Sequence, residues 1–317
     1  MLPFPLYFHP GFNVDLGPHV FPAQKYRLVR ERLLADGLAE EADFLRAEPA
    51  TDADVLRVHT PEYVRKLKTG GFSAAEARVL EVPWSRALVD GLWLCAGADL
   101  AAARAARRHG CAIVLGGGFH HAFPDHGEGF CLVHDVAVAT AALRASGELD
   151  RVAVLDLDVH QGNGTAAILG RDARTLTVSL HQENNYPAVK PASHIDVGLP
   201  DGTGDEAYLA ALEGPLARIL DFRPELLWYL AGADPYEHDL LGGLALSLEG
   251  LQRRDQRVLG TARTAQIPLV VTLAGGYAAD SADTVTIHAN TVRAAVRVFV
   301  ANTVEHGPRV DGRASDL

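Results

Sequence analysis

The stretch RVAVLDLDVHQGNG, Arg151 to Gly164, follows an apolar run with Asp156, Asp158 and His160 at every second position. Side chains alternate faces along a strand, so a strand here aims two carboxylates and an imidazole at one face, beside a core. A desolvated carboxylate is costly without a partner, and two acids repel each other. A divalent cation resolves the conflict. Asp158 and His160, two residues apart, offer it oxygen and nitrogen ligands from one side. Asp234, beyond another apolar run, is the natural third ligand. Three protein ligands leave a position open, as in catalytic rather than structural sites. From spacing alone, a buried Asp158–His160 ion pair or a cap on the next helix stands as the alternative.

Three other clusters carry candidate chemistry. GGGFHHAF (116–123) places His120 and His121 after three glycines that allow close backbone approach. Paired histidines beside a metal suit proton transfer, and each needs a partner for its far ring nitrogen. Asp156 is available for one and Asn163 for the other. Isolated histidines are more often structural, and His59, His126, His194, His238 and His288 are read so. LAGGY (273–277) puts Tyr277 after two glycines, where its hydroxyl can meet a developing oxyanion, although packing is the common role of a lone tyrosine. GEGFC (127–131) and NNYP (184–187) carry Phe130 and Tyr186, which either line a narrow tube for an apolar chain or pack beneath loops.

These residues need elements to position them. Short runs rich in Val, Ile and Leu occur at 111–115, 152–159, 174–180, 225–231 and 268–274. Helical patterns lie at 25–37, 205–220 and 285–301. Strands apolar on both faces that alternate with helices predict an α/β fold, a mainly parallel sheet with helices on both sides. CAIVL runs into GGGFHH, VAVL into DLDVHQGNG, LLWYLA into GADPYEHD and PLVVTLA into GGY. Open parallel sheets build sites at the carboxyl ends of strands, so four clusters at four such ends should meet in one crevice. A single domain over 1–303 is expected, followed by a polar tail at 304–317. The net charge of −11 argues against nucleic-acid binding and is compatible with a cationic substrate. Three cysteines without CxxC spacing predict no disulfide framework and a reducing, cytoplasmic setting. The N-terminus does not read as a signal peptide, and no apolar run predicts a membrane span. Oligomeric state is not legible.

Together the motifs GGGFHHA, GFC, DLDVHQGNG, VSLHQENNYP, GADPYEHDLLGGL and LAGGY resemble, in content and order, the zinc-dependent histone deacetylase family of the arginase/deacetylase superfamily. DVHQGNG and GFHH are most similar to its class IV branch and bacterial homologues, and HVFPAQKY (19–26) and VHTPEYV (58–64) extend the likeness. The resemblance implies one domain around an eight-stranded, mainly parallel sheet. It implies one Zn2+ on Asp158, His160 and Asp234, and a catalytic set of His120 with Asp156, His121 with Asn163, and Tyr277. It implies tunnel walls from Phe130, Tyr186, Gly129 and Gly275, and a structural K+ near Asp156, Asp158, His160, Ser179 and Leu180. Many members carry Asp where Asn163 stands. A neutral amide stabilises an imidazolium less than a carboxylate does, so His121 should have a lower pKa than in those relatives. The implied reaction is hydrolysis of an acyl-lysine amide, with acetylpolyamines or other small N-acyl amines as the alternative. An arginase-like reading needs a further acid where Tyr236 stands, and a non-catalytic binding module would not need the full ligand, histidine and tyrosine set.

Overall fold

A computed structural model describes residues 1–300, so the expected tail at 304–317 lies outside the described residues. The chain runs β1 (Leu6–Tyr7), α1 (Lys25–Ala35), β2 (Phe44–Leu45), α2 (Asp52–Val55), α3 (Pro61–Thr69), α4 (Ala74–Leu80), α5 (Arg86–His109), β3 (Cys111–Val114) and α6 (Asp135–Ala145). It continues through β4 (Val152–Asp156), α7 (Asn163–Leu169), β5 (Thr175–Gln182), β6 (Ile195–Leu199), α8 (Asp205–Phe222), β7 (Leu226–Leu230), α9 (Leu248–Thr264), β8 (Leu269–Thr272) and α10 (Ser281–Val300). The eight strands form one sheet in the order β2-β1-β3-β8-β7-β4-β5-β6. Every pairing is parallel, which sharpens the expected "mainly parallel" to wholly parallel. Helices flank the sheet, with α5 against β3 and β8, α5 packed on α6, and α10 lying between α1 and α9.

Register places the site. Val114, Thr272, Leu230, Asp156 and Ser179 pair in succession from β3 through β8, β7 and β4 to β5. These residues form one row across the sheet, and the chain leaves it after each strand on the same side. The core strands β3, β4, β7 and β8 are buried along their whole length. That is why they read as continuous apolar runs. Reading by such runs passes over β1 and β2, which have two residues each, and over β6, an edge strand whose burial alternates.

One expectation is corrected. The run at 152–159 does not remain a strand, because β4 stops at Asp156. Asp156 Oδ1 accepts the Asp158 N–H at 3.2 Å and Asp158 Oδ1 accepts the His160 N–H at 3.0 Å, and these bonds curl the backbone out of the ladder. Asp158 and His160 therefore come together on a bend ahead of α7, not on a strand face.

Beneath the row, α9 inserts Arg254, which is fully buried. Its guanidinium donates to the Gly232 carbonyl at 2.7 Å and to Asp255 Oδ1 at 2.9 Å. Asp255 also accepts from Tyr229 Oη at 2.5 Å and Thr291 Oγ1 at 2.6 Å. This buried ion pair carries further hydrogen bonds, the condition under which such a pair is tolerable, and it ties β7 to α9 and α10.

Candidate active site

Asp158, His160 and Asp234 are buried, and one donor atom from each lies within 4.8 Å of the others. Asp158 Oδ2 accepts the Gly275 N–H at 2.9 Å, and Asp234 Oδ1 accepts the Val159 N–H at 2.9 Å. Asp234 Oδ2 has no hydrogen-bond partner although the residue is fully buried. A Cβ on Gly275 would collide with Asp234 Oδ2 and Asp158 Oδ2, so only glycine lets the loop after β8 close over the acids. Burial, reinforced by the Asp158 charge, pushes Asp234 up to about 7. Burial opposes a charge on His160, but Asp158 and Asp234 outweigh it and raise its pKa to about 10. The donor set and the orphaned oxygen fit a divalent cation: two acids crowd one imidazole in a field that favours positive charge. Among the described residues this is the one such cluster. Tyr236 Oη donates to Asp283 Oδ2 at 3.1 Å, and among the described residues no further metal-ligating cluster lies beside the first.

The two histidines stand over this cluster with ring centroids 4.0 Å apart. His120 Nδ1 lies 2.6 Å from Asp156 Oδ2, and its Nε2 lies 3.7 Å from Asp158 Oδ1. His121 Nδ1 lies 2.7 Å from Asn163 Oδ1, and its ring meets His160 at 5.9 Å. Asn163 Oδ1 also accepts the Gly164 N–H, so it is an acceptor toward His121 as well. His121 Nδ1 therefore carries the proton and Nε2 is left basic. Burial, opposed and outweighed by the charges of Asp156 and Asp158, leaves His120 raised to about 9. Burial together with the charges of His120 and His160 holds His121 well below the usual imidazole value, against the raising hydrogen bond to Asn163. The two neighbouring imidazoles are thus pushed in opposite directions.

The walls come from distant segments. The Phe130 ring meets Tyr277 at 5.9 Å and Phe21 at 6.1 Å, and the Tyr186 ring meets His121 edge-on at 4.9 Å. Gly129 sits between them at φ +52, where a Cβ would lie 2.8 Å from His121 Cδ2 and 3.0 Å from Tyr186 Cε1. The Tyr277 N–H donates to Asp239 Oδ2 at 2.7 Å, and the other Asp239 oxygen accepts from Leu241 and Gly242. Ser179 pairs with Asp156 across the ladder, with Leu180 next along β5; both are buried. All the expected site residues thus gather at the carboxyl ends of neighbouring strands.

Four participants escape the sequence reading: Phe21, Lys25, Glu128 and Asp239. Lys25 is buried, and its Nζ donates to the Ala274 carbonyl at 2.7 Å, beneath the loop that carries Tyr277. Burial lowers its pKa to about 8 against the raising charges of Asp234, Asp158 and Asp239. Its position four residues before Val29, on the apolar stripe of α1, was a readable sign.

The loop after β3 is braced from behind. The His134 N–H donates to His59 Nε2 at 3.0 Å, so His59 Nδ1 holds the proton and donates to the Phe123 carbonyl. The structural reading of His59 holds, since burial lowers it to about 4. Asp135 accepts the Gly118 and Phe119 N–H groups at 2.7 and 3.1 Å. Beside it Asp99, fully buried, has no acceptor bond to either oxygen. Burial and then the Asp135 charge raise its carboxyl well above the usual range, the direction that favours a neutral carboxyl beside Asp135. A carboxyl raised on folding contributes fully below its unfolded pKa, near 4, and that contribution is lost as pH rises through the folded value. Asp99→Asn keeps a donor and cannot titrate. We expect it to be more stable than the parent at pH 8 by about 1–3 kcal/mol, with the gap closing toward pH 4 in thermal unfolding. Parallel pH profiles would refute the neutral carboxyl.

Over residues 19–292 the chain matches the family described as Histone deacetylase domain. It is 37% identical over 298 residues to an uncharacterized protein of Picosynechococcus sp., covering 93% of this chain and 99% of that one. It is 35% identical over 277 residues to Histone deacetylase 2 of Arabidopsis thaliana, covering 83% of this chain and 71% of that one. In fold it is similar to acetylpolyamine aminohydrolase from Burkholderia pseudomallei, with a TM-score of 0.76, 22% identity, and 93% and 99% of the two chains covered.

Proposed function

The chain belongs to the histone deacetylase family, and from that premise we propose that it removes an acyl group, acetyl or longer, from the ε-amine of lysine in proteins or peptides. The observation that carries the reading is the fully buried, unpartnered Asp234 Oδ2 beside Asp158 and His160, under the histidine pair. Zinc is the ion this reading places there, where it would polarise the amide carbonyl and lower the pKa of a water. His121 Nε2 takes the proton of the attacking water and returns it to the leaving amine. His120, held by Asp156, supports the developing charge. The Tyr277 hydroxyl donates to the oxyanion. Phe130, Gly129, Tyr186 and Gly275 flank the acyl-lysine arm. A structural potassium ion is assigned to Asp156, Asp158, His160, Ser179 and Leu180, on the register that sets Ser179 beside Asp156. The class IV-like assignment rests on the motif wording, and cytoplasmic placement on three buried, unpaired cysteines. Among the described residues no helix is long and apolar enough to cross a membrane.

A second reading, hydrolysis of acetylpolyamines or another small N-acyl amine, is favoured by the net charge of −11, which suits a cationic substrate. A panel of acyl-lysine peptides of increasing chain length and acetylpolyamines, with released amine measured, separates the two. Turnover of acyl-lysine, abolished by chelator and restored by zinc, is the expected outcome. Turnover of acetylpolyamines alone selects the second reading, and no release from any member under zinc overturns both.

A further inference from the structure

Asn163 is held from three sides. Its Oδ1 accepts the Gly164 N–H at 3.0 Å and faces His121 Nδ1 at 2.7 Å, while its Nδ2 donates to Glu128 Oε1 at 2.5 Å. An amide has nearly the same shape in its two flip states, so its neighbours decide which end faces the histidine. In the opposite state its NH2 would meet the Gly164 N–H, and its carbonyl oxygen would meet the Glu128 carboxylate. Both are like-to-like contacts. Glu128 is itself fixed: its N–H and carbonyl exchange hydrogen bonds with Cys131, and Tyr186 Oη donates to the same Oε1 at 2.8 Å. Its side chain is only 17% exposed, and His126 Nε2 lies 3.6 Å from its other oxygen.

We propose that Glu128 is a positioning residue for His121, acting through the Asn163 amide to keep the His121 proton on Nδ1 and Nε2 free to accept one. The proposal deepens the deacylase reading and rests on it. It also explains why residue 163 is an amide. A carboxylate there would stand at hydrogen-bond distance from Glu128 with no proton between them, and the repulsion would swing it off His121. The same Glu128 oxygen holds the Tyr186 hydroxyl, so wall and base share one anchor.

The test uses the zinc-loaded full chain and four variants: Glu128→Ala, Glu128→Gln, Asn163→Asp and the double variant Glu128→Gln/Asn163→Asp. Two readouts are taken: kcat and KM on whichever amide the parent cleaves, and the His121 ring nitrogen shifts in 15N-labelled protein. Glu128→Ala is expected to lower kcat on the order of tenfold or more with KM moved far less, and to alter the His121 nitrogen pattern. Glu128→Gln, which still offers an acceptor, stays closer to the parent. Asn163→Asp alone loses activity, and adding Glu128→Gln restores it, a rescue that misfolding cannot produce. A parental kcat and nitrogen pattern in Glu128→Ala, or full activity in Asn163→Asp alone, overturns the proposal. If the parent cleaves no amide, the deacylase reading fails, and the His121 pattern in Glu128→Ala still decides whether Glu128 sets the tautomer.

Discussion

Asp234→Ala is expected to yield a folded chain that neither retains a divalent ion nor turns over an amide. Asp234 has one oxygen tied to the Val159 N–H and the other unpartnered, facing Asp158 and His160. Alanine takes away one of three donors and leaves a two-residue site, too few ligands to hold zinc. The activity loss should exceed the roughly 100-fold that follows from deleting an outer partner of a metal ligand. Stability should change less than activity. The substitution orphans the Val159 N–H but also relieves the repulsion between Asp234 and Asp158, and these effects oppose each other. Elemental analysis after dialysis, beside a thermal melt, checks both parts. Zinc at the parental stoichiometry in the variant would remove Asp234 from the ligand set.

Tyr277→Phe separates chemistry from assembly. It should keep zinc, keep KM close to the parent and lower kcat by about 10²–10³. Burial and the charges of Asp158 and Asp234 raise the tyrosine's pKa well above its ordinary value, the direction that keeps the hydroxyl protonated. The ring packs against Phe21 at 6.2 Å and Phe130 at 5.9 Å, and its backbone is held by Asp239, so phenylalanine keeps the packing and loses only the donor. Single-turnover kinetics beside a metal assay tests this. Parental kcat with full zinc would remove the hydroxyl from the reaction.

Much of the site was legible because polar residues interrupt apolar runs at strand ends. Asp156, Asp158 and His160 break one run, His120 and His121 follow another, and Asp234 and Tyr277 lie beyond two more. Their roles became readable only through the ordered family motifs, since spacing alone left an ion pair as good as a metal. The period-two argument brought Asp158 and His160 together, yet the strand ends at Asp156 and side-chain hydrogen bonds shape the bend. Glu128 was hidden because its meaning lies in contacts to Asn163 and Tyr186, 35 and 58 residues away in sequence. Phe21 was hidden for the same reason. Lys25 carried a readable sign in its place on the apolar stripe of α1, but a lysine there is usually taken as a snorkelling side chain.

The strand order has a bearing on biosynthesis. β3 and β4 follow each other as strands in the chain, yet β8 and β7 lie between them in the sheet. On the ribosome, the segment with the histidine pair and the one with Asp158 and His160 both emerge before either strand that will bridge them. Such deferred, long-range pairing slows folding and leaves strand edges open meanwhile. Asp234 follows β7, and the glycine that closes over the acids follows β8. If the proposed cation site is real, its three ligands emerge before the strand and glycine that close over them, and a ribosome-bound fragment ending before Leu269 should emerge metal-free.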